Sequence, residues 1–333
     1  MPMSLSSSYS WQKQLAGCIK DPFELFKLLE IDPSYLSQKR MSSFPLRVPV
    51  SFVNRMKKGD RQDPLLRQVL PLDDECVSIP GFSQDPLQEK KFNILPGLIH
   101  KYKNRILLTL TGACAVHCRY CFRQHFPYEE NNAHQHFQTE IIAYLNQHPE
   151  IHEVIFSGGD PLIAPDKVLS SWIFELEKIP HIENIRIHSR LPVVLPDRIT
   201  DGLIDVFISS RLPIVLVIHC NHPQEIDETV GHVLLKLRQA GILVLNQAVL
   251  LKKVNDKLET LVELNKKLFQ FHVLPYYLHV LDKVQGAHHF EVSEIQGKRL
   301  WQGLLAALPG YLVPRLVKEE PRARSKTWLI SDV

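Results

Sequence analysis

Six short runs of β-branched and aliphatic residues recur through the last two-thirds of the chain. They are RILLTLT (105–111), EVIFSG (153–158), IENIRIHS (182–189), PIVLVIHC (213–220), LVLNQAVLL (243–251) and HVLPYYLHV (272–280). Between them, segments such as DKVLSSWIFELEKI and GHVLLKLRQAG carry apolar residues at helical spacing. Strands alternating with helices predict a parallel sheet, and continuous apolar strands predict that both of its faces are covered. Six such units fall short of a closed eightfold barrel. The expectation is an α/β fold, either an incomplete barrel or an open sheet.

The first hundred residues read differently. DPFELFKLLEIDP and DPLLRQVLP place apolar residues at helical spacing between Asp-Pro stops, which predicts helices separated by proline-rich turns. No fixed-period repeat or low-complexity tract interrupts the chain. Lys plus Arg is 39 against 36 for Asp plus Glu, a net charge of +3 over 333 residues. That near-balance offers no clustered basic face for nucleic acid. No apolar run reaches the length of a membrane span, and the opening MPMSLSSSYSWQKQL has no secretory apolar stretch. A cytoplasmic location with reduced cysteines is the expectation.

Polar and reactive residues gather where each proposed strand ends: Cys114 to Cys121, Ser157 to Asp160, Ser189-Arg190, His219, Asn246-Gln247 and Tyr277 to Asp282. In parallel α/β barrels the carboxyl ends of the strands build the active site. The densest cluster is CAVHCRYCF (114–122), with three of the chain's six cysteines. Three thiolates can hold three irons of a four-iron cubane and leave the fourth open to a small molecule. A zinc site completed by His117 or His125 is the competing reading, although a two-plus-two ligand arrangement is missing. Cys18, Cys76 and Cys220 read as buried small hydrophobes.

Cys114-x3-Cys118-x2-Cys121, with Tyr120 before the third cysteine, resembles the radical S-adenosylmethionine (SAM) signature. CRYCFRQHF, SGGDPL, RLPVVLPDRIT, IHCNHPQEI, NQAVLLKKVND and LPYYLHVLD follow in the order of the lysine 2,3-aminomutase family. The chain is most similar to the short branch that isomerises lysine for modification of elongation factor P. The resemblance implies a partial (βα)6 TIM-like barrel (96–290), an N-terminal helical region (1–95) and a C-terminal segment closing the active site (291–333). It implies a [4Fe-4S] cluster on Cys114, Cys118 and Cys121, SAM beside it, and pyridoxal 5′-phosphate (PLP) carried by Lys326. Ser157, Gly158, Gly159, Asp160, His219 and Gln247 match SAM-side positions, the two glycines as bare backbone against the methionine part. Tyr102 and Arg105 match contacts to the PLP phosphate.

For the substrate, L-lysine, the resemblance assigns the carboxylate to Arg123 and the ε-ammonium to Asp282 and Glu319. A partly desolvated amine near cations favours imine formation, and Arg322 and Arg324 stand close to Lys326 in sequence. The apolar WLI that follows offers a way to dock the tail. Implied partners are an electron donor such as flavodoxin, elongation factor P and its lysyl ligase. Two other functions compete: an aminomutase acting on another amino acid such as glutamate, and an iron–sulfur electron-transfer or binding protein.

Overall fold

The computed structural model describes residues 10–36, 44–131, 133 and 135–329. Ten strands form one sheet in sequence order: β1 (Asn93–Leu95), β2 (Leu98–Tyr102), β3 (Arg105–Thr111), β4 (Glu153–Gly158), β5 (Asn184–Ser189), β6 (Ile214–His219), β7 (Leu243–Val249), β8 (Leu274–His279), β9 (Arg315–Lys318) and β10 (Thr327–Trp328). Strands β3 to β9 run parallel, while β1, β2 and β10 add antiparallel margins. Helices fill the six parallel crossovers: Gln135–Gln147, Asp166–Glu177, Asp201–Ile208 (after the short helix Leu191–Val194), Glu228–Gln239, Leu258–Gln270 and Glu294–Ala307.

All six predicted strands are present as β3 to β8, several of them shortened at their ends. The helix expected to begin at Gly231 begins three residues earlier, because the Asp227 carboxylate accepts from Val230 N at 2.9 Å and caps it. The Asp-Pro stops behave as read: Asp21 and Asp63 cap short helices that start at Pro22 and Pro64. The margins are the new elements. β1 and β2 join through Pro96-Gly97, where Gly97 sits at φ +84, as a type II turn requires. The expected boundary at residue 290 falls inside the sheet, since β9 pairs directly with β8.

Burial explains the layering. Val154, Phe156, Ile185, Ile187 and Leu216 are fully buried on the strands, against Leu169, Trp172, Leu234, Leu237 and Leu268 from the helices. Leu25, Phe52 and Leu65 from the N-terminal region join the same core. The sheet curls into an open barrel. Lys101 on β2 and Glu319 just after β9, near opposite ends of the strand order, form an ion pair at 2.5 Å. Among the described residues no helix is long and apolar enough to cross a membrane.

Candidate active site

The cysteine loop leaves β3 and is fixed from two sides. Gly158 at the end of β4 adopts φ +118, and a Cβ there would lie 2.5 Å from Thr111 O. A Cβ on Gly159 would lie 2.3 Å from Ala113 O. Bare backbone lets Gly159 N and Asp160 N donate to Thr111 O and Ala113 O at 2.7 and 2.8 Å. In this structure the glycines therefore pack against the root of the cysteine loop. From the other side, His117 N and Arg119 N donate to Arg47 O and Gln68 O, each at 2.9 Å, and fully buried Arg119 pairs with Glu75. The N-terminal region thus anchors the loop.

Cys114, Cys118 and Cys121 line a cavity of about 430 Å³, within the usual range for small-molecule sites. Every other residue assigned above to a site lines the same cavity, from Tyr102 and Arg105 to Glu319 and Lys326. Burial pushes the Cys114 thiol well up and the Cys121 thiol to about 12. A coordinated metal removes such a proton outright. Arg190, at the end of β5, donates to Cys118 Sγ at 2.7 Å and pairs with fully buried Glu225 at 3.1 Å. His117 and His125 are engaged elsewhere: their rings contact Pro45 O at 2.8 Å and Gln285 O at 3.4 Å. Among the described residues no three metal-ligating groups surround a single ion, whereas a cubane spreads its thiolates over three irons.

Arg123 already has a carboxylate partner that sequence reasoning missed. Its Nε and Nη2 donate to both oxygens of Glu89 at 2.7 Å, and Nη1 donates to Ser157 Oγ at 2.9 Å. Three of the five guanidinium N–H groups are thereby used and two remain. Asp160 is also committed: it accepts from Ser189 Oγ, Arg190 N, Leu191 N and Leu162 N. Its carboxylate ties β4 to the end of β5. His219 and Gln247 are register partners on β6 and β7. Burial and the nearby Arg190 charge lower His219 to about 3, so its imidazole is neutral.

The far end of the cavity holds the C-terminal hairpin. Glu319 accepts from Lys101 Nζ and Lys326 Nζ, each at 2.5 Å, and from the Tyr102 hydroxyl. Burial would raise this carboxyl, but Lys326 and the three donors hold it at about 2. Arg105 stacks over the Tyr102 ring at 4.4 Å. Asp282, just past β8, has no side-chain partner among the described residues, and burial lifts it to about 7 against the pull of Lys326. Three expectations are corrected here. Arg322 and Arg324 are exposed, so the cation beside Lys326 and Glu319 is Lys101. The tail is docked by strand β10 and buried Leu329, while Trp328 is exposed and Ile330 lies outside the described residues. Cys76 is exposed, whereas Cys18 and Cys220 are buried as read.

The description of the Radical SAM superfamily matches residues 108–264. The chain is 50% identical over 328 residues, 98% of its length and 96% of the relative's, to L-lysine 2,3-aminomutase of Escherichia coli K12. It is 47% identical to the protein of the same name from Haemophilus influenzae, covering 96% and 95% of the two chains. The chain belongs to the lysine 2,3-aminomutase family. At 33% identity the Clostridium subterminale aminomutase is matched over 95% of this chain and 77% of its own. The crystal structure of Streptococcus suis SuiB bound to S-adenosylmethionine shares the fold, with a TM-score of 0.50 over 69% of this chain and 52% of that one at 15% identity.

Lysine 2,3-aminomutases are isomerases that work with a [4Fe-4S] cluster, SAM and PLP. The residues of this aminomutase suit such groups. Three thiols share one anchored loop, and a primary amine, Lys326, reaches into the cavity. Two polar atoms of the cavity wall, His188 Nε2 and Arg190 Nε, are sealed from solvent without a protein partner among the described residues. Such atoms cost free energy unless a ligand bonds them. Glu89, Lys101 and His188 are residues the sequence did not single out as site residues, whereas Arg190 stood in a strand-end cluster and Glu225 in the IHCNHPQEI motif without a role assigned to either.

Proposed function

We propose that this aminomutase isomerises L-lysine to (R)-β-lysine, using PLP on Lys326, to supply the modification of elongation factor P by its lysyl ligase. The observation that carries the reading is the carboxyl of Asp282, without a side-chain partner among the described residues, lining the same cavity as a buried arginine with two N–H groups that no described residue accepts. An α-amino acid with an ammonium at its far end complements both. A glutamate substrate would instead bring its side-chain carboxylate against Asp282 and Glu319, a like-charge contact in a mostly buried site. An electron carrier would not need an amino-acid cavity at all. The link to elongation factor P rests on the short-branch resemblance, as does a flavodoxin-type reductant, while a cytosolic setting rests on the expectation of reduced cysteines.

When bound, the cluster and SAM supply one-electron chemistry, and PLP supplies a conjugated ring that delocalises an unpaired electron. The chain's own part is positioning. Arg123, fixed by Glu89, offers its remaining N–H groups to the substrate carboxylate beside the cysteine loop. Asp282, with Glu319, receives the ε-ammonium. Lys326 carries and then yields the cofactor. Holding both ends of the amino acid fixes which carbon faces the cluster side, and the buried walls exclude water and stray hydrogen donors.

The test is anaerobic reconstitution with iron, sulfide, SAM and PLP, followed by dithionite, lysine and chiral analysis of the product. (R)-β-Lysine is expected. Lysine recovered unchanged, while another amino acid is isomerised or deoxyadenosine is absent, overturns the reading.

A further inference from the structure

Arg190 reaches the cysteine loop from the end of β5. Its backbone N–H donates to Asp160 Oδ2 at 2.8 Å, and its side chain is only 6% exposed. One terminal nitrogen, Nη1, donates to Cys118 Sγ at 2.7 Å. The other, Nη2, donates to Gln68 Oε1 at 2.6 Å and pairs with Glu225 Oε2 at 3.1 Å. Glu225 is itself held from outside the pair. Its Oε1 accepts from Asn221 N and Gln68 Nε2 at 3.0 Å and from His222 N at 3.1 Å. A cation and an anion therefore stand in fixed order behind one of the three thiols, with the cation in between.

Buried ion pairs carry little net stability, because the cost of desolvation offsets their attraction. This pair lies against a cluster ligand, where its charges act on an electron. We propose that Arg190 and Glu225 set the reduction potential of the cluster through Cys118: the guanidinium favours the reduced state and the carboxylate limits that gain. The proposal rests on the three-thiol cluster and not on which amino acid is isomerised. Reduction places one electron, in the test below from dithionite, on the cluster and exchanges no atom. The added negative charge is stabilised by a guanidinium that stays protonated and bonds the sulfur directly. Burial keeps water and salt from screening that charge. Glu225 acts from behind the guanidinium, at a greater distance from the sulfur, so it offsets only part of the effect.

Potentiometric titration followed by electron paramagnetic resonance tests this on the full chain, reconstituted with iron and sulfide and without SAM or PLP. A hydrogen bond to a charged group is worth roughly tenfold or more in an equilibrium constant. Arg190→Gln is therefore expected to lower the reduced-to-oxidised ratio at a fixed potential at least tenfold, a negative shift of about 59 mV for a one-electron couple. Glu225→Gln should shift the potential the other way. Arg190→Lys, which keeps the charge on a single-point donor, should fall between Arg190→Gln and the unmodified chain. Opposite signs are what a loosened loop would not give, since general damage moves both variants alike. A ratio within twofold of the unmodified chain in Arg190→Gln overturns the proposal, as does a shift of the same sign in Arg190→Gln and Glu225→Gln. Where iron analysis shows that Arg190→Gln holds no cluster, Arg190→Lys and Glu225→Gln decide. Shifts of opposite sign then support the proposal, and no shift or a common sign overturns it.

Discussion

At the cysteine end of the cavity, Arg123 is clamped by a two-pronged bond to Glu89, with side-chain exposures of 7% and 10%. At the hairpin end, Asp282 has no side-chain partner among the described residues, and Glu319 is held by Lys326, Lys101 and Tyr102. The contrast separates two ways of preparing a charged site. On the proposed reading, the cation that grips the substrate carboxylate is locked before the substrate arrives. The acids that receive the ammonium differ from one another: Asp282 is left available, while Glu319 is engaged by three donors. On that reading the locked arginine needs little reordering on binding.

The clamp should fail hardest. Glu89→Ala leaves a guanidinium buried without its carboxylate, and removing one partner of a buried pair costs roughly 3–5 kcal/mol. Urea unfolding of the cofactor-free chain would measure it. A loss below about 1 kcal/mol would mean that Arg123 holds its place without Glu89 and would erase the contrast. Glu89→Gln, which keeps the shape and some of the hydrogen bonds, should lose less.

The open end should respond to pH. Asp282 titrates near 7 in the free protein, lifted by burial, and an ammonium favours its ionised form. Lysine affinity should therefore rise with pH up to about 7 and level off above it. Below that point it should fall by about tenfold per pH unit, if only the ionised form binds. Binding isotherms of the cofactor-free protein would show the slope, and Asp282→Asn should flatten it. A slope that survives in Asp282→Asn assigns the titration to another group.

What could be read in advance follows the same division. The parallel strands were legible because burial on both faces writes an apolar run, and the cysteine loop because three thiols in eight positions are rare in this chain. The sheet margins were not: β9 is only the four residues RLVK, and LIHKY mixes charge with apolar residues. Glu89 and Lys101 were invisible for a different reason. Each lies far in sequence from its partner, Arg123 or Glu319, and looks like an ordinary solvated charge until the chain curls. Asp160 shows the reverse case, a residue matched to a cofactor position whose carboxylate is filled by the protein itself.

The smallest expected effect concerns the tail arginines. Arg322 and Arg324 stand near Lys326 in sequence but are exposed, while Lys101 reaches Glu319 from β2. Substituting both arginines by serine should leave PLP affinity, followed by visible absorbance, within about twofold, because exposed changes usually stay within ±0.5 kcal/mol. Lys101→Ala should weaken it more, since that change removes a donor from a carboxylate that is mostly buried. The opposite ranking would place the controlling cation on the exposed side of the hairpin. The hairpin end would then be set by sequence neighbours, and not by closure of the sheet.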